Sequence, residues 1–313
     1  MNAPRWTWIL CLAAAVLCLS AATARAADQI YWGNEGDESI SHANVAGGGG
    51  SDIPITNVKV NHPEGLAIDS AAGRVYWIDR DGTEYSIRFA NLDGSGGAIL
   101  NTTGASVVNP HGLAIHPAGG RIYWANFADP FIYFAKLDGS GGGKLDTTGA
   151  LVEQPLGLTV YPAQNRIYWA NFDGGEHDID FANLDGSGGG GTLDLSAATS
   201  VDMPRSIAID ASTNRVYWAN SSSPAITYVN GSEGGSVFTD GIETDNLQGI
   251  AIDPIAQRVF WGAPENDTLG FASITEGGSL GVLDTTGATR DSPAWPVLLY
   301  VPRGTAAPTV TAL

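Results

Sequence analysis

Six tryptophans recur at nearly constant intervals along the 313-residue chain: Trp32, Trp77, Trp124, Trp169, Trp218 and Trp261. The spacings are 45, 47, 45, 49 and 43 residues. Self-similarity at that period marks one supersecondary unit per repeat, in a solenoid array or a propeller. Each tryptophan follows an aromatic residue and a β-branched one, as in Arg74-Val75-Tyr76-Trp77 and Arg258-Val259-Phe260-Trp261.

One full unit, from Pro63 to about Val108, contains four strand signals. Leu66-Ala67-Ile68 precedes the turn Ser70 to Gly73. Arg74 to Ile78 follows, and then Ser86 to Leu92. Asp93-Gly94-Ser95-Gly96-Gly97 makes a hairpin, since Asp-Gly supplies the positive φ that tight hairpin turns need, and a short fourth strand runs near Ala98 to Leu100. Four consecutive antiparallel strands make a propeller blade. The composition agrees with an all-β protein rich in turns: 41 glycines, 43% hydrophobic residues and only 15% charged.

The two ends are complementary. From Asp28 the chain enters a second-strand pattern with no opening strand before it. Pro293 to Leu299 reads as an opening strand with no second strand after it. The C-terminal strand therefore completes the first blade, which closes the ring and leaves no sheet edge unpaired. The predicted fold is all-β, a six-bladed β-propeller of four-stranded antiparallel blades. The tryptophans are expected to pack between blades, where a buried aromatic contributes about 150–250 Å². Asp69 with Arg74, Asp210 with Arg215 and Asp253 with Arg258 flank one turn each and are expected to form ion pairs; His116 and Tyr161 replace the acid in two units.

Three domains are expected: residues 1–26 as a secretory leader, 27–302 as the propeller and 303–313 as a tail. The leader reading rests on Arg5, an apolar run from Trp6, and Ala24-Arg25-Ala26 as an A-x-A cleavage site. Both cysteines, Cys11 and Cys18, lie in it, so the remaining chain has neither a disulfide nor a thiolate metal site. The expected location is secreted or at the cell surface, with no stable membrane span after cleavage. A formal net charge of −18 argues against nucleic acid as a partner, because phosphates are repelled.

The repeats resemble the YWTD, or class B, repeat of the low-density lipoprotein receptor family. Gly65-Leu66-Ala67-Ile68-Asp69, Val75-Tyr76-Trp77-Ile78-Asp79 and Asn91-Leu92-Asp93-Gly94 carry the likeness. It implies a six-bladed propeller, usually extracellular, that binds other proteins on its faces. The chain departs from the receptors where Thr-Asp becomes Ala125-Asn126, Ala170-Asn171 and Ala219-Asn220, and where their cysteine-rich modules would stand. A bacterial-type secreted variant is the better comparison.

Motifs for chemistry are sparse. Gly277-Gly278-Ser279-Leu280-Gly281 fits G-x-S-x-G but falls in a hairpin, where the strand-to-helix elbow cannot form. The Asp-Gly-Ser-Gly turns lack the further carboxylates of a calcium shell. The one informative constellation comes from position. The residue after each opening proline, or its equivalent, points to one mouth of the central channel. These residues are Glu64, His111, Leu156, Arg205, Gln248 and Ala294, with Trp295 beside the last. Their place is shared while their chemistry varies, as at ligand-contacting positions.

Two functions follow. The first is a secreted binding or scaffold module without catalysis, whose partner is an extracellular protein or glycan. The alternative is a hydrolase or lyase at the channel mouth, as the resemblance to other six-bladed propellers implies. Glu64 would then be a base or metal ligand, His111 an acid and Arg205 an anion clamp. No catalytic residue, metal ligand or cofactor is assigned, though a divalent cation such as calcium stays open.

Overall fold

A computed structural model describes residues 28–172, 177–221, 225–242, 244, 247, 249–275 and 277–299, the last six of these as backbone. The leader and tail assigned from the sequence lie outside the described residues. Six four-stranded antiparallel sheets make up the molecule, and among the described residues the only helical turns are three short 3-10 turns. Each sheet is one blade of a propeller, with its strands in chain order from the channel outward.

The first blade is the exception that closes the ring. Its innermost strand is the C-terminal Pro293–Leu299, which pairs antiparallel with Gln29–Asn34. Ser39–Asn44 and Ser51–Asp52 complete that sheet. The other five blades open on Glu64–Asp69, Pro110–His116, Pro155–Tyr161, Ser206–Asp210 and Ile250–Asp253.

All six tryptophans are completely buried. Each belongs to a cluster shared with the preceding blade. Trp77 packs with Tyr31 and Ile40, Trp124 with Tyr76 and Ile87, Trp169 with Tyr123 and Ile132. Trp218 packs with Tyr168 and Ile179, Trp261 with Tyr217 and Ile226. Trp32 packs with Phe260 and Leu269 of the last blade, so the cycle has no break.

Two residues after five of the six tryptophans stands a buried polar group that ties the second strand to the loop entering its own blade; after Trp261 the position is Ala263. Asp79, Asn126, Asn171 and Asn220 accept backbone N–H bonds from Asn61, Val108, Glu153 and Asp202 at 2.7, 3.1, 3.0 and 3.0 Å, each 18 residues earlier. In the first blade Asn34 accepts from Asp291 at 3.2 Å, across the chain ends. The Asn and Asp residues that depart from the Thr-Asp pattern are therefore staples.

The predicted arginine–acid pairs form only once, as Arg258 and Asp253 at 3.9 Å. Asp69 instead accepts from the N–H groups of Ala71 and Ala72, and Asp210 from the N–H and hydroxyl of Ser212. Short carboxylates compete well for the backbone of a tight turn. Arg74, Arg121, Arg166 and Arg215 lie over Phe89, Phe134, Phe181 and Tyr228, 4.0–4.9 Å from the ring centroids. An aromatic face on the third strand attracts the guanidinium and covers its stem. In the two units without the acid, Pro117 and Pro162 start 3-10 turns and fix the bend.

Asp180 stands opposite Trp169 on the third strand of the fourth blade and is fully buried. Its Oδ2 accepts from Asn171 at 2.9 Å and from the Leu151 N–H at 3.2 Å, while Oδ1 takes no hydrogen bond among the described residues. Burial pushes its pKa up to about 6. A carboxyl whose folded pKa lies above its unfolded one makes the fold more stable as pH falls from about 6 toward the ordinary range. Asp180→Asn is expected to raise the urea midpoint at pH 7.5 and to raise it less at pH 4. An equal gain at both values would show that the carboxyl charge is not what burial opposes.

Candidate functional site at the channel mouth

The opening strands line a central channel of about 270 Å³, walled by Leu66, Leu113, Leu158, Ile207 and Ile250 and their neighbours. At its mouth a β-bulge interrupts each of three consecutive blades: the register slips between Glu64 and Leu66, between Pro110 and Leu113, and between Pro155 and Leu158. A bulge bends the strand and re-aims a side chain; here His111 and Leu156 lie within the bulges, and Glu64 is the paired residue at the edge of its own.

The glycine after each of these residues lets neighbouring blades close in. A Cβ on Gly65 would lie 2.3 Å from the His111 carbonyl oxygen, one on Gly112 2.5 Å from that of Leu156, and one on Gly157 2.7 Å from that of Arg205. Gly65 also has a φ of +30°. Pro, a variable residue and Gly at the start of a strand thus place Glu64, His111 and Leu156 on successive blades around one rim, and Pro204-Arg205-Ser206 adds Arg205 on the next. Gln248 and the side chains of Ala294 and Trp295 lie outside the described residues.

A second ring, which the sequence reading missed, sits beside the first. It is the third residue after each tryptophan: Glu35, Arg80, Phe127, Phe172, Ser221 and Pro264. The N–H groups of Arg80, Phe127, Phe172 and Ser221 donate to the carbonyls of Asn61, Asn109, Gln154 and Asp202, which pins this ring against the loops entering the same blades. The two rings then touch blade by blade. Glu64 Oε1 is 3.7 Å from Arg80 Nε. His111 meets Phe127 edge-on with centroids 5.8 Å apart. Leu156 packs with Phe127 and Phe172, whose centroids are 6.4 Å apart. Arg205 Nε donates to Ser221 Oγ at 3.3 Å, and its guanidinium lies 5.3 Å from the Phe172 centroid. The signal was present: Tyr-Trp-Ala-Asn is followed by Phe127, Phe172 and Ser221, a variable position at the end of a fixed motif.

The rim has an acidic side and a cationic side. Glu64 is buried, with Oε2 3.1 Å from His111 Nδ1 in an orientation that makes no hydrogen bond. Burial raises the pKa of nearby Glu35, and the Glu64 charge raises it further; Arg80, His62 and His111 pull the other way. His62 lies 3.8 Å from Glu38 at the outer rim of the same side. On the fifth blade, burial lowers the Arg205 pKa, and no described carboxylate lies within ion-pair distance of it. Among the described residues no three His, Asp or Glu side chains converge to hold a metal ion. Ser279 of the G-x-S-x-G match lies in the hairpin joining the third and fourth strands of the last blade. No described helix is long and apolar enough to cross a membrane.

No protein-family profile and no curated protein matches the chain. Solved structures do. The chain superposes on nidogen from the crystal structure of a nidogen/laminin complex with a TM-score of 0.71 at 16% identity, over 87% of this chain and 98% of that one. TolB from Acinetobacter baumannii matches with a TM-score of 0.61 at 12% identity, over 87% of this chain and 66% of TolB. The fold is a six-bladed β-propeller. At these identities the likeness is one of architecture, and the rim residues stand on their own chemistry.

The coupling between the two rim carboxyls is measurable. Glu64→Gln is expected to lower the Glu35 pKa by removing the adjacent charge, while burial still pushes it up. Carboxyl-carbon NMR titration of the two proteins reads this directly. A Glu35 pKa that does not move would place the two groups too far apart to act on one ligand.

Proposed function

We propose that the protein is a protein-binding module whose partner seats on the channel mouth. The observation that carries this reading is the apolar arc of Leu156, Phe127 and Phe172 set between charged ends, Glu64 with His111 on one side and Arg205 on the other. Binding energy concentrates where aromatic and arginine side chains stand together on a surface that can be desolvated. Both phenylalanines are half-buried, so their faces lose little freedom on contact. Next to Phe127 the surface continues into a cavity of about 480 Å³ lined by Asp129, Val152 and Gln154, which widens the apolar contact on that side. The propeller most similar in shape among those compared above comes from a complex with another protein, which fits the same use of this fold.

The setting we propose is extracellular, with residues 1–26 as a cleaved leader and 27–302 as the working domain. A glycan in place of a protein would call for aromatic faces exposed more fully than Phe127 and Phe172. A second reading, a hydrolase or lyase at the same mouth, draws on one observation: two interacting carboxyls, Glu35 and Glu64, beside an imidazole. Paired groups of this kind can divide acid and base roles. Arg205 would serve it as an anion clamp, but it leaves the phenylalanines without a task.

A photo-crosslinking residue at position 172, and another at position 139 in a strand-connecting hairpin of the third blade, tests the binding reading in the native medium. Covalent partners are expected from position 172 alone, and excess unlabelled protein should compete them away. Phe127→Ala with Phe172→Ala should weaken the captured complex by about 2 kcal/mol or more, roughly thirtyfold. Equal labelling from both positions, or none from 172, would count against the mouth as the binding face.

A further inference from the structure

Among the described residues, Arg205 is a half-buried cation that no carboxylate faces. The arginines that open the second strands repeat in register, each over a third-strand ring. Arg80, Arg88 and Arg258 face carboxylates within 4.0 Å. Arg205 does neither of these. It is half-buried at the rim, its Nε is taken by a neutral hydroxyl, and Phe172 lies alongside its guanidinium. Among the described residues its two terminal nitrogens carry no hydrogen bond. This happens in a chain with 33 acidic residues against 15 lysines and arginines, where a counter-ion would be easy to supply. A guanidinium taken partly out of water without a carboxylate is held at a cost that an incoming carboxylate relieves, through two parallel N–H bonds in a fixed plane.

The rest of the rim says where such a group goes. Blades two and five face each other across a six-bladed ring, so Glu64 and Arg205 stand on opposite sides of the mouth. Glu64 and Glu35 repel an anion from the far side. Leu156, Phe127 and Phe172 fill the arc between, and offer a surface only to an apolar group.

We infer that the bound segment of the partner carries an aspartate or glutamate next to an apolar side chain, with the carboxylate on Arg205 and the apolar group on Leu156, Phe127 and Phe172. This rests on the mouth being the binding face. It adds the chemistry and the direction of what lies there: acidic residue toward the fifth blade, apolar residue toward the third and fourth.

The test uses the full chain and a random heptapeptide library displayed on phage. Peptides selected on the wild type are expected to share an acidic residue flanked by an apolar one. For a synthetic selected peptide, Asp→Asn should weaken binding about ten- to a hundredfold, as for loss of a hydrogen bond to a charged group. Arg205→Gln should impose a similar loss on the Asp peptide and almost none on the Asn peptide, which is the signature of a direct pair in a double-mutant cycle. Arg205→Lys keeps the charge without the fork and should retain part of the preference. It also replaces Arg205→Gln in the cycle if that variant melts below the wild type. Peptides whose binding needs Phe127 and Phe172 but ignores both Asp→Asn and Arg205→Gln would overturn this inference and leave the binding face intact. Selection of no peptide that depends on the two phenylalanines would overturn both.

Discussion

An indole that reaches across to the preceding blade is the contact on which the ring depends. Six such side chains, each without solvent exposure, convert separate four-stranded sheets into one cyclic core. A single twisted sheet of this size cannot bury both faces by itself. The indole N–H must also be satisfied in the interior, and the solution is repeated. Trp124, Trp169 and Trp218 donate to the carbonyls of Ser106, Leu151 and Ser200, always 18 residues back, and Trp32 donates to Thr289 across the closure. The same tryptophan that packs outward against one blade thereby fastens the loop that enters its own. Because that loop carries the rim residue, the core contact and the site geometry are one mechanical unit.

A second fastening runs along the outer edge and explains much of the glycine. Turns of the type Asp146-Thr147-Thr148-Gly149 clasp the glycine-rich hairpin of the next blade. Gly142, Gly190 and Gly50 donate to the carbonyls of Thr103, Thr148 and Thr286 at 2.8–3.1 Å. A side chain on Gly104, Gly149 or Gly287 would meet the facing carbonyl at 2.5–2.6 Å. These glycines are needed for close approach between chains of backbone, beyond the positive φ of a hairpin turn. The last of the three clasps joins the sixth blade to the first, so the ring is closed at its rim of tryptophans, by its C-terminal strand and at its periphery.

The fold was readable because a 45-residue period and two half-units at the ends leave few ways to pair strands. Half of the site was readable for a related reason: the residue after each opening proline has a fixed place and a free identity. The second ring has the same property, but it directly follows the staple residue. There the comparison with Thr-Asp drew attention to Ala125-Asn126 and away from Phe127. Two of the three arginine–acid pairs were misread because closeness in sequence was taken for closeness of charge. The competing partner, an aromatic face on the third strand, lies 13 to 15 residues away, as for Arg74 and Phe89, and only the strand register brings it near. No local pattern shows that Glu35 and Glu64 interact, since they belong to neighbouring blades and meet only when those blades pack together.

The rim is also where the backbone departs from its easy conformations. His62, Asn109, Gln154, Met203 and Ser292 each precede an opening proline, and each has a φ between +39° and +50°. Left-handed backbone in a residue with a side chain is unfavourable by about 1–3 kcal/mol and persists only where its surroundings determine it. Here the determinants are visible: the N–H groups of Phe127 and Phe172 bond to the carbonyls of Asn109 and Gln154, two of those strained residues. Five residues of one rim thus share this conformation, two of them held by bonds from the second ring, on the face whose side chains vary. Residues held in this way lose little conformational freedom when a partner arrives, which lowers the entropic cost of association. A rigid rim with interchangeable side chains is what a binding face requires of a scaffold.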